Sequence, residues 1–308
     1  MMLTKTSAAP LRRPKPRWPG FDRFRLTGWA FASPGLLALA IVLGFPVLYA
    51  VALAFSSFTL MRPALAPFIG IDNFTAVLSD GAFWVAAWLT IKYSVITVAG
   101  EFVVGLGIAL MLNRTVRTRP IYFALLTIPM AMSPVCVALI WRMLLQPNLG
   151  IVNHLLETWG LPRLDWLGDP TMAFWTMAFI DIWQQMSFVV LILAAGLAAL
   201  PREPYEAAEM DGARRWQQFW FITLPMLRPV AAIAVVIQLI NELRTYDLPY
   251  VLTRGGPGTA TEVLSFFAYR RAFLGLSVNE GSAAALVLLL IVLVMTVLFF
   301  AMLERRRG

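Results

Sequence analysis

The sequence predicts an all-α polytopic membrane protein with six transmembrane helices and both termini cytoplasmic. Three observations lead there. Of 308 residues, 59% are hydrophobic and 14% charged, whereas an ordinary soluble domain is about 45–50% apolar and about 25% charged. Six stretches reach the roughly 20 apolar residues that a helix needs to cross a bilayer. Seventeen of the 25 basic residues fall in the segments that six alternating spans place on one side, which marks that side as cytoplasmic.

The elements follow in order. Residues 1–28 form a basic tail, expected to be disordered to about Arg25 because Pro10, Pro14, Pro16 and Pro19 interrupt any helix. The spans are expected near 29–55, 86–112, 122–145, 172–200, 227–250 and 282–303, within one membrane domain, 29–308. Trp84, Trp88, Trp159 and Trp166 mark the outer interface. The connection 146–170 is long enough for a short amphipathic helix at 151–159. The basic clusters are Lys5 to Arg25, then Arg114, Arg117 and Arg119, then Arg202, Arg214, Arg215 and Arg228, and finally Arg305, Arg306 and Arg307. The net charge of +8 is mostly this topology signal; no nucleic-acid partner is expected, and lipid is the surrounding partner. No internal repeat is visible.

Several chemistries are excluded. Cys136 has no second cysteine to pair with, and His154 is the sole histidine, so neither a disulfide nor a Cys/His metal site is expected. No Ser/His/Asp set has plausible spacing. There is no G-x-x-x-x-G-K-[ST] phosphate loop. The chain is therefore not expected to be an enzyme or to hold a cofactor; if ATP drives it, another chain supplies the ATPase.

The most informative stretch is 206–225, EAAEMDGARRWQQFWFITLP, a polar insert too short to fold alone. Pro204 suits a first helical turn, and Glu203 and Glu206 complement the helix dipole at that end. Ala207 and Ala208 leave a flat face for close approach, and Gly212 is expected to break or cap the helix. Arg214, Arg215, Trp216, Phe219 and Trp220 suit the membrane interface, and Pro225 is expected to restart the next span.

Polar residues within the spans mark candidate pathways, because each is costly in lipid. Asp181, Gln184, Gln185 and Phe188 are spaced 0, 3, 4 and 7, one helical face. Gln238, Asn241, Glu242 and Thr245 repeat that spacing. Two such faces converge on one wet cavity or bond across helices as glue. Glu101 is expected to serve packing or helix–helix bonding. Arg244 is the nearest counter-charge, and two carboxylates favour a neutral polyhydroxylated ligand over an anionic one.

The 206–225 stretch resembles the cytoplasmic loop of bacterial ABC-importer permeases, in which Glu206-Ala207-Ala208, three residues, Gly212, nine residues and Ile222-Thr223-Leu224-Pro225 match the motif. Pro129-Met130 to Pro134 with Trp141, Trp183-Gln184, and Tyr246-Asp247 with Leu252-Thr253-Arg254-Gly255-Gly256-Pro257 extend the likeness to the carbohydrate-uptake type, on the side of the larger membrane subunit of the maltose transporter. The resemblance implies a type I permease-like core with a coupling loop at 201–225. Its implied coupling residues are Glu206, Ala207, Ala208, Asp211, Gly212, Ile222, Leu224 and Pro225. It implies substrate contacts at Met130, Pro134, Asp181, Gln184, Gln185, Phe188, Glu242 and Thr245, beside the Asn241 of the fifth-span polar face. Its partners would be a sister permease, two ATPase subunits that bind ATP and Mg, and an extracytoplasmic solute-binding protein, in the bacterial inner membrane. A sugar or polyol is the expected substrate; glycerol phosphate, or a transporter working alone, are the alternatives.

Overall fold

The structure, a computed structural model, describes residues 21–59, 67–114 and 119–304. The expectations placed on residues 1–20, Arg117 and Arg305 to Arg307 lie outside them. Among the described residues the chain is helical, with one isolated bridge between Ser56 and Phe68. It divides into two compact units, 1–49 and 50–308.

The first unit holds α1 (Phe21–Leu39), a π-helical turn (Ala40–Gly44) and the start of α2 (Phe45–Ala54). The described residues open in helix at Phe21, so residues 21–28 of the expected tail are helical. No proline follows until Pro34, and nothing in between blocks helix propagation. Residues 31–54 are apolar enough to cross a membrane, and large side chains such as Phe31 and Leu48 are exposed.

The second unit begins with α3 (Asp72–Ser79) and the long α4 (Gly81–Arg114). Then come α5 (Arg119–Ala131), α6 (Pro134–Leu144) and α7 (Ile151–Thr158), the last where the amphipathic helix was expected. α8 (Pro170–Ala198) opens on Asp169, whose side chain accepts from the Met172 N–H at 2.8 Å. After it come α9 (Glu203–Met210), α10 (Arg215–Gln218), a π turn (Phe219–Thr223) and α11 (Leu224–Leu243). The chain ends with the short α12 (Asp247–Leu252) and α13 (Leu264–Tyr269), a third π turn (Arg270–Leu274) and α14 (Val278–Glu304).

Three details depart from the sequence reading. The third span is broken: α5 and α6 meet at 91°. Ser133 precedes Pro134, whose ring pushes it out of the helical region to φ −62°, ψ 135°. The fifth helical rod begins at Arg215, so Pro225 does not restart a span. The π turn at Phe219–Thr223 removes a backbone group from the regular ladder just where Pro225 has no N–H to give. That rod also stops at Leu243, short of residue 250, and Arg244 leaves the helix at φ −106°, ψ 10°.

α4 and α8 form the most extensive contact in the chain. Glycine permits it: a Cβ on Gly105 would lie 2.9 Å from Val189 Cγ1. Lipid tails are as apolar as leucine, so such close packing, rather than hydrophobic transfer, holds spans together. Buried clusters follow one another along α4: Phe83 and Ala87 with Phe267 and Ala284, then Tyr93 with Met177 and Ile180, then Ala109 with Leu193 and Leu227.

Candidate substrate cavity and coupling segment

Both polar faces reach one place. A cavity of about 290 Å³ is lined by Pro134, Asp181, Gln184, Gln185, Asn241, Glu242, Arg244, Thr245, Tyr246, Asp247 and Leu248. Two helix breaks build it. The bend at Ser133 turns Pro134 inward, and it leaves the Met132 carbonyl without a helical donor; Gln184 Nε2 donates to that carbonyl at 3.1 Å. The break after Leu243 brings Thr245, Tyr246 and Asp247 to the wall. Tyr246 stacks on Tyr250 at 5.3 Å between ring centroids, which fixes its side of the wall.

Of the nine expected substrate residues, seven line this cavity: Pro134, Asp181, Gln184, Gln185, Asn241, Glu242 and Thr245. Met130 and Phe188 are not among the lining residues. Met130 precedes the 91° bend and is 39% exposed. Phe188 is on the same face of α8 but about one turn beyond Gln184 and Gln185, half-buried. Arg244 donates to Asn241 Oδ1 at 3.1 Å and forms no ion pair with Asp181.

Behind the cavity the acids are held by residues the sequence reading passed over. Tyr93 donates to Asp181 Oδ2 at 2.5 Å, and Thr97 to Glu242 Oε2 at 3.3 Å. Gln238 Nε2 donates to Glu101 Oε2 at 2.7 Å, and Asn241 donates to Gln238 Oε1 at 3.2 Å. Glu101 therefore does bond helix to helix, as expected, but it also joins the other two acids: one oxygen from each of Glu101, Asp181 and Glu242 lies within 4.8 Å of the others. At that separation and an effective dielectric of ~20, each ionised pair repels by roughly 3 kcal/mol. The signal for Thr97 was present in sequence, since Thr90, Ser94, Thr97 and Glu101 at 0, 4, 7 and 11 form a polar stripe on α4, but Tyr93 lies outside that stripe.

The coupling segment lies at the other level, by the last turns of α4 and α8. α9 has no buried residue, and Met210 at its end is 88% exposed. Glu203 and Glu206 occupy its first turn. Gly212 has φ +75°, and no atom lies within 4 Å of where a Cβ would stand, so the glycine is needed for backbone conformation, not for space. The Gly212 N–H donates to Glu209 O at 3.1 Å and the Ala213 N–H to Ala208 O at 2.8 Å, the paired bonds of a Schellman cap. Ala207 and Asp211 are exposed, Ala208 half-buried. Ile222 and Leu224 sit half-buried in and after the π turn, with Pro225 exposed. Tyr205, also unforeseen, donates to Thr223 Oγ1 at 3.0 Å and ties α9 to the base of α11. A cavity of about 850 Å³ between them and the ends of α4 and α8 carries Arg202 and Arg215.

This pairing of a polar intramembrane cavity with an exposed, capped helix between two spans defines a permease. Residues 101–307 match the family described as binding-protein-dependent transport system inner membrane component, and the chain belongs to it. It is 33% identical to the sulfoquinovosyl glycerol transport system permease protein SmoG of Agrobacterium fabrum, over 94% of this chain and 95% of that one. It is 36% identical to the trehalose/maltose transport system permease protein MalF of Thermococcus litoralis, over 78% of this chain and 81% of that one. Among solved structures, a bacterial ABC transporter involved in the import of the acidic polysaccharide alginate matches with a TM-score of 0.81 at 26% identity, covering 92% of this chain and 96% of that one. The chain is a transporter subunit, and its described spans are helical apart from the break at Ser133.

Proposed function

We propose that this chain is one of two sister permeases in a binding-protein-dependent importer of a sugar or polyol in the bacterial inner membrane. An extracytoplasmic solute-binding protein delivers the substrate, and two partner ATPases hydrolyse ATP with Mg outside this chain. The observation that carries the proposal is the double role of α11. Its base is tied to the exposed α9 through Tyr205 and Thr223, and its far end supplies Asn241 and Glu242 to the cavity. Thr223 and Glu242 are 19 residues apart, about 28 Å along a helix at 1.5 Å per residue. A push on α9 by an ATPase would be carried along this rod to the substrate groups.

The cavity's chemistry supports a polyhydroxylated ligand. Carboxylates accept from hydroxyls, amides both donate and accept, and the Tyr246 ring offers an apolar face. Arg244 is the one cationic group on the wall. The names of the relatives, which transport sulfoquinovosyl glycerol and trehalose or maltose, support the sugar class. A thermal-shift screen of the cognate solute-binding protein against sugars, polyols, sugar acids and glycerol phosphate tests it. A neutral sugar or polyol should give the largest stabilisation; glycerol phosphate as the preferred ligand would overturn the substrate class.

A further inference from the structure

The cavity of about 850 Å³ beside the coupling segment is separate from the substrate cavity and shares no lining residue with it. Its charge is one-sided. Arg202 and Arg215 line it, and no acidic residue among those described does. Glu203 and Glu206, in the adjoining first turn of α9, are not on its wall. The ion pairs among the described residues engage Arg163, Arg270 and Arg271, and neither Arg202 nor Arg215 takes part in one. Two exposed cations on one concave wall, with no acid beside them to neutralise them, focus a field that draws an anion.

A second observation says which kind of anion. Much of the same wall is apolar: Leu110 near the end of α4, Leu197 near the end of α8, Leu200, Trp216 and Phe219. Trp216 is 57% exposed, and Trp220, four residues further along the same rod, is 56% exposed. Exposed tryptophan at the end of a span marks the bilayer interface, where the ring lies at headgroup depth. A free inorganic anion gains nothing from leucines and aromatic rings, whereas a phosphate that carries acyl chains is met by both halves of this wall.

We propose that this cavity binds the headgroup of an anionic phospholipid. Arg202 and Arg215 hold the phosphate, whose oxygens match the planar guanidinium fork. The first carbons of the acyl chains lie against Leu197, Leu200 and Trp216, and the chains continue into the bilayer. Ligand cavities are about 300–1,000 Å³, so this one takes the headgroup but not the whole lipid. Basic pockets at the cytoplasmic ends of spans bind phospholipid headgroups by this combination of charge and apolar wall. The lipid stands between the coupling segment and the ends of α4 and α8, beside the Tyr205–Thr223 hydrogen bond.

Native mass spectrometry of the full chain in mild detergent, titrated with phosphatidylglycerol or with phosphatidylcholine of the same acyl chains, tests this directly. The wild type should bind phosphatidylglycerol about tenfold more tightly than phosphatidylcholine, because each basic residue near an anionic lipid adds to the attraction. Changing Arg202→Gln and Arg215→Gln together should abolish most of that preference. Arg228→Gln removes an exposed arginine that does not line the cavity and should keep it. Phosphatidylglycerol should raise the thermal midpoint of the wild type but not of the double variant, and the two should melt alike in phosphatidylcholine, which separates a lost site from a lost fold. Equal binding of the two lipids by the wild type overturns the proposal. So does a preference that the double variant retains; if that variant at the same time fails to co-purify with the ATPases, the arginines serve a protein partner instead. Displacement of phosphatidylglycerol by inorganic phosphate at matched ionic strength also overturns it, in favour of a free anion. No sugar or nucleotide enters the titration, so its failure and failure of the transport assignment are separate results.

Discussion

The cavity and the coupling segment are built in opposite ways. The coupling segment is local: its cap bonds run from Gly212 to Glu209 and from Ala213 to Ala208, and its tie from Tyr205 to Thr223 spans 18 residues. The cavity is non-local: Tyr93 meets Asp181 across 88 residues, Gln238 meets Glu101 across 137 and Thr97 meets Glu242 across 145. The coupling segment exposes its residues; the polar cluster buries its residues, drawn from three helices, and leaves Glu101 Oε1 without a hydrogen-bond partner. One element, α11, belongs to both. A local change at α9 should therefore break transmission while leaving the fold, and a change at the cluster should alter ligand handling while leaving α9 competent to dock.

The sharpest test of that division is at Gly212. Gly212→Val places a β-branched residue at φ +75°, a strain on the order of 1–2 kcal/mol, and undoes the cap that aims α9. The chain should still reach the membrane, but uptake should fall by tenfold or more and substrate should no longer stimulate ATP hydrolysis in the assembled transporter. Normal coupling in this variant would show that α9 is not the docking element.

Next come Asp181→Ala and Glu242→Ala. Each should lower uptake by about tenfold, the equivalent of about 1.4 kcal/mol, while co-purification with the ATPases stays intact. If either variant instead lost the ATPases, the two regions would not be separable as described.

A smaller effect is expected at the tie between the regions. Tyr205→Phe removes one partly buried hydrogen bond, about 0.5–1.5 kcal/mol. It should lower the ratio of transport to ATP hydrolysis a few-fold without changing the apparent affinity for substrate. An altered affinity with unchanged coupling would reverse the assignment.

The smallest concerns the pair of Glu157 in α7 and Arg163 just after it. Arg163 hydrogen-bonds Glu157 and holds its carboxyl below the usual carboxylate range. A depressed carboxyl contributes stability above its unfolded value and loses it as pH falls through the folded one. The pair is exposed, 52% and 40% for the two side chains, and such pairs contribute little. Arg163→Ala should leave both the thermal midpoint and uptake unchanged, at neutral pH and in mild acid alike.

Much of this was legible in the sequence where the cause is local. Hydrophobic runs set the spans to within a few residues at most ends, since each must satisfy its own backbone in lipid. Gly212 as a helix stop, Pro204 in the first turn and the amphipathic helix at Ile151–Thr158 follow from short-range rules. The 0, 3, 4, 7 spacing foretold that Asp181, Gln184 and Gln185 share a face, and likewise Asn241, Glu242 and Thr245. It did not tell how deep along the helix the cavity ends. That is why Phe188, on the right face, stands outside it and Gln238 is turned to Glu101.

What the sequence determined by itself is therefore class and local chemistry: a helical permease with five apolar spans, or six if the bent pair α5–α6 counts as one, and a short polar segment capped at Gly212. Those properties depend on composition, charge and neighbours within a turn or two. Only the tertiary structure decided the 91° bend that turns Pro134 into the cavity, the end of α11 at Leu243, and the meeting of Glu101 with Asp181 and Glu242. The physical reason is that the contact of three acids from α4, α8 and α11 depends on how those helices rotate and slide against one another. That is set by packing at small residues such as Gly105 against Val189, which no periodicity within a single helix encodes.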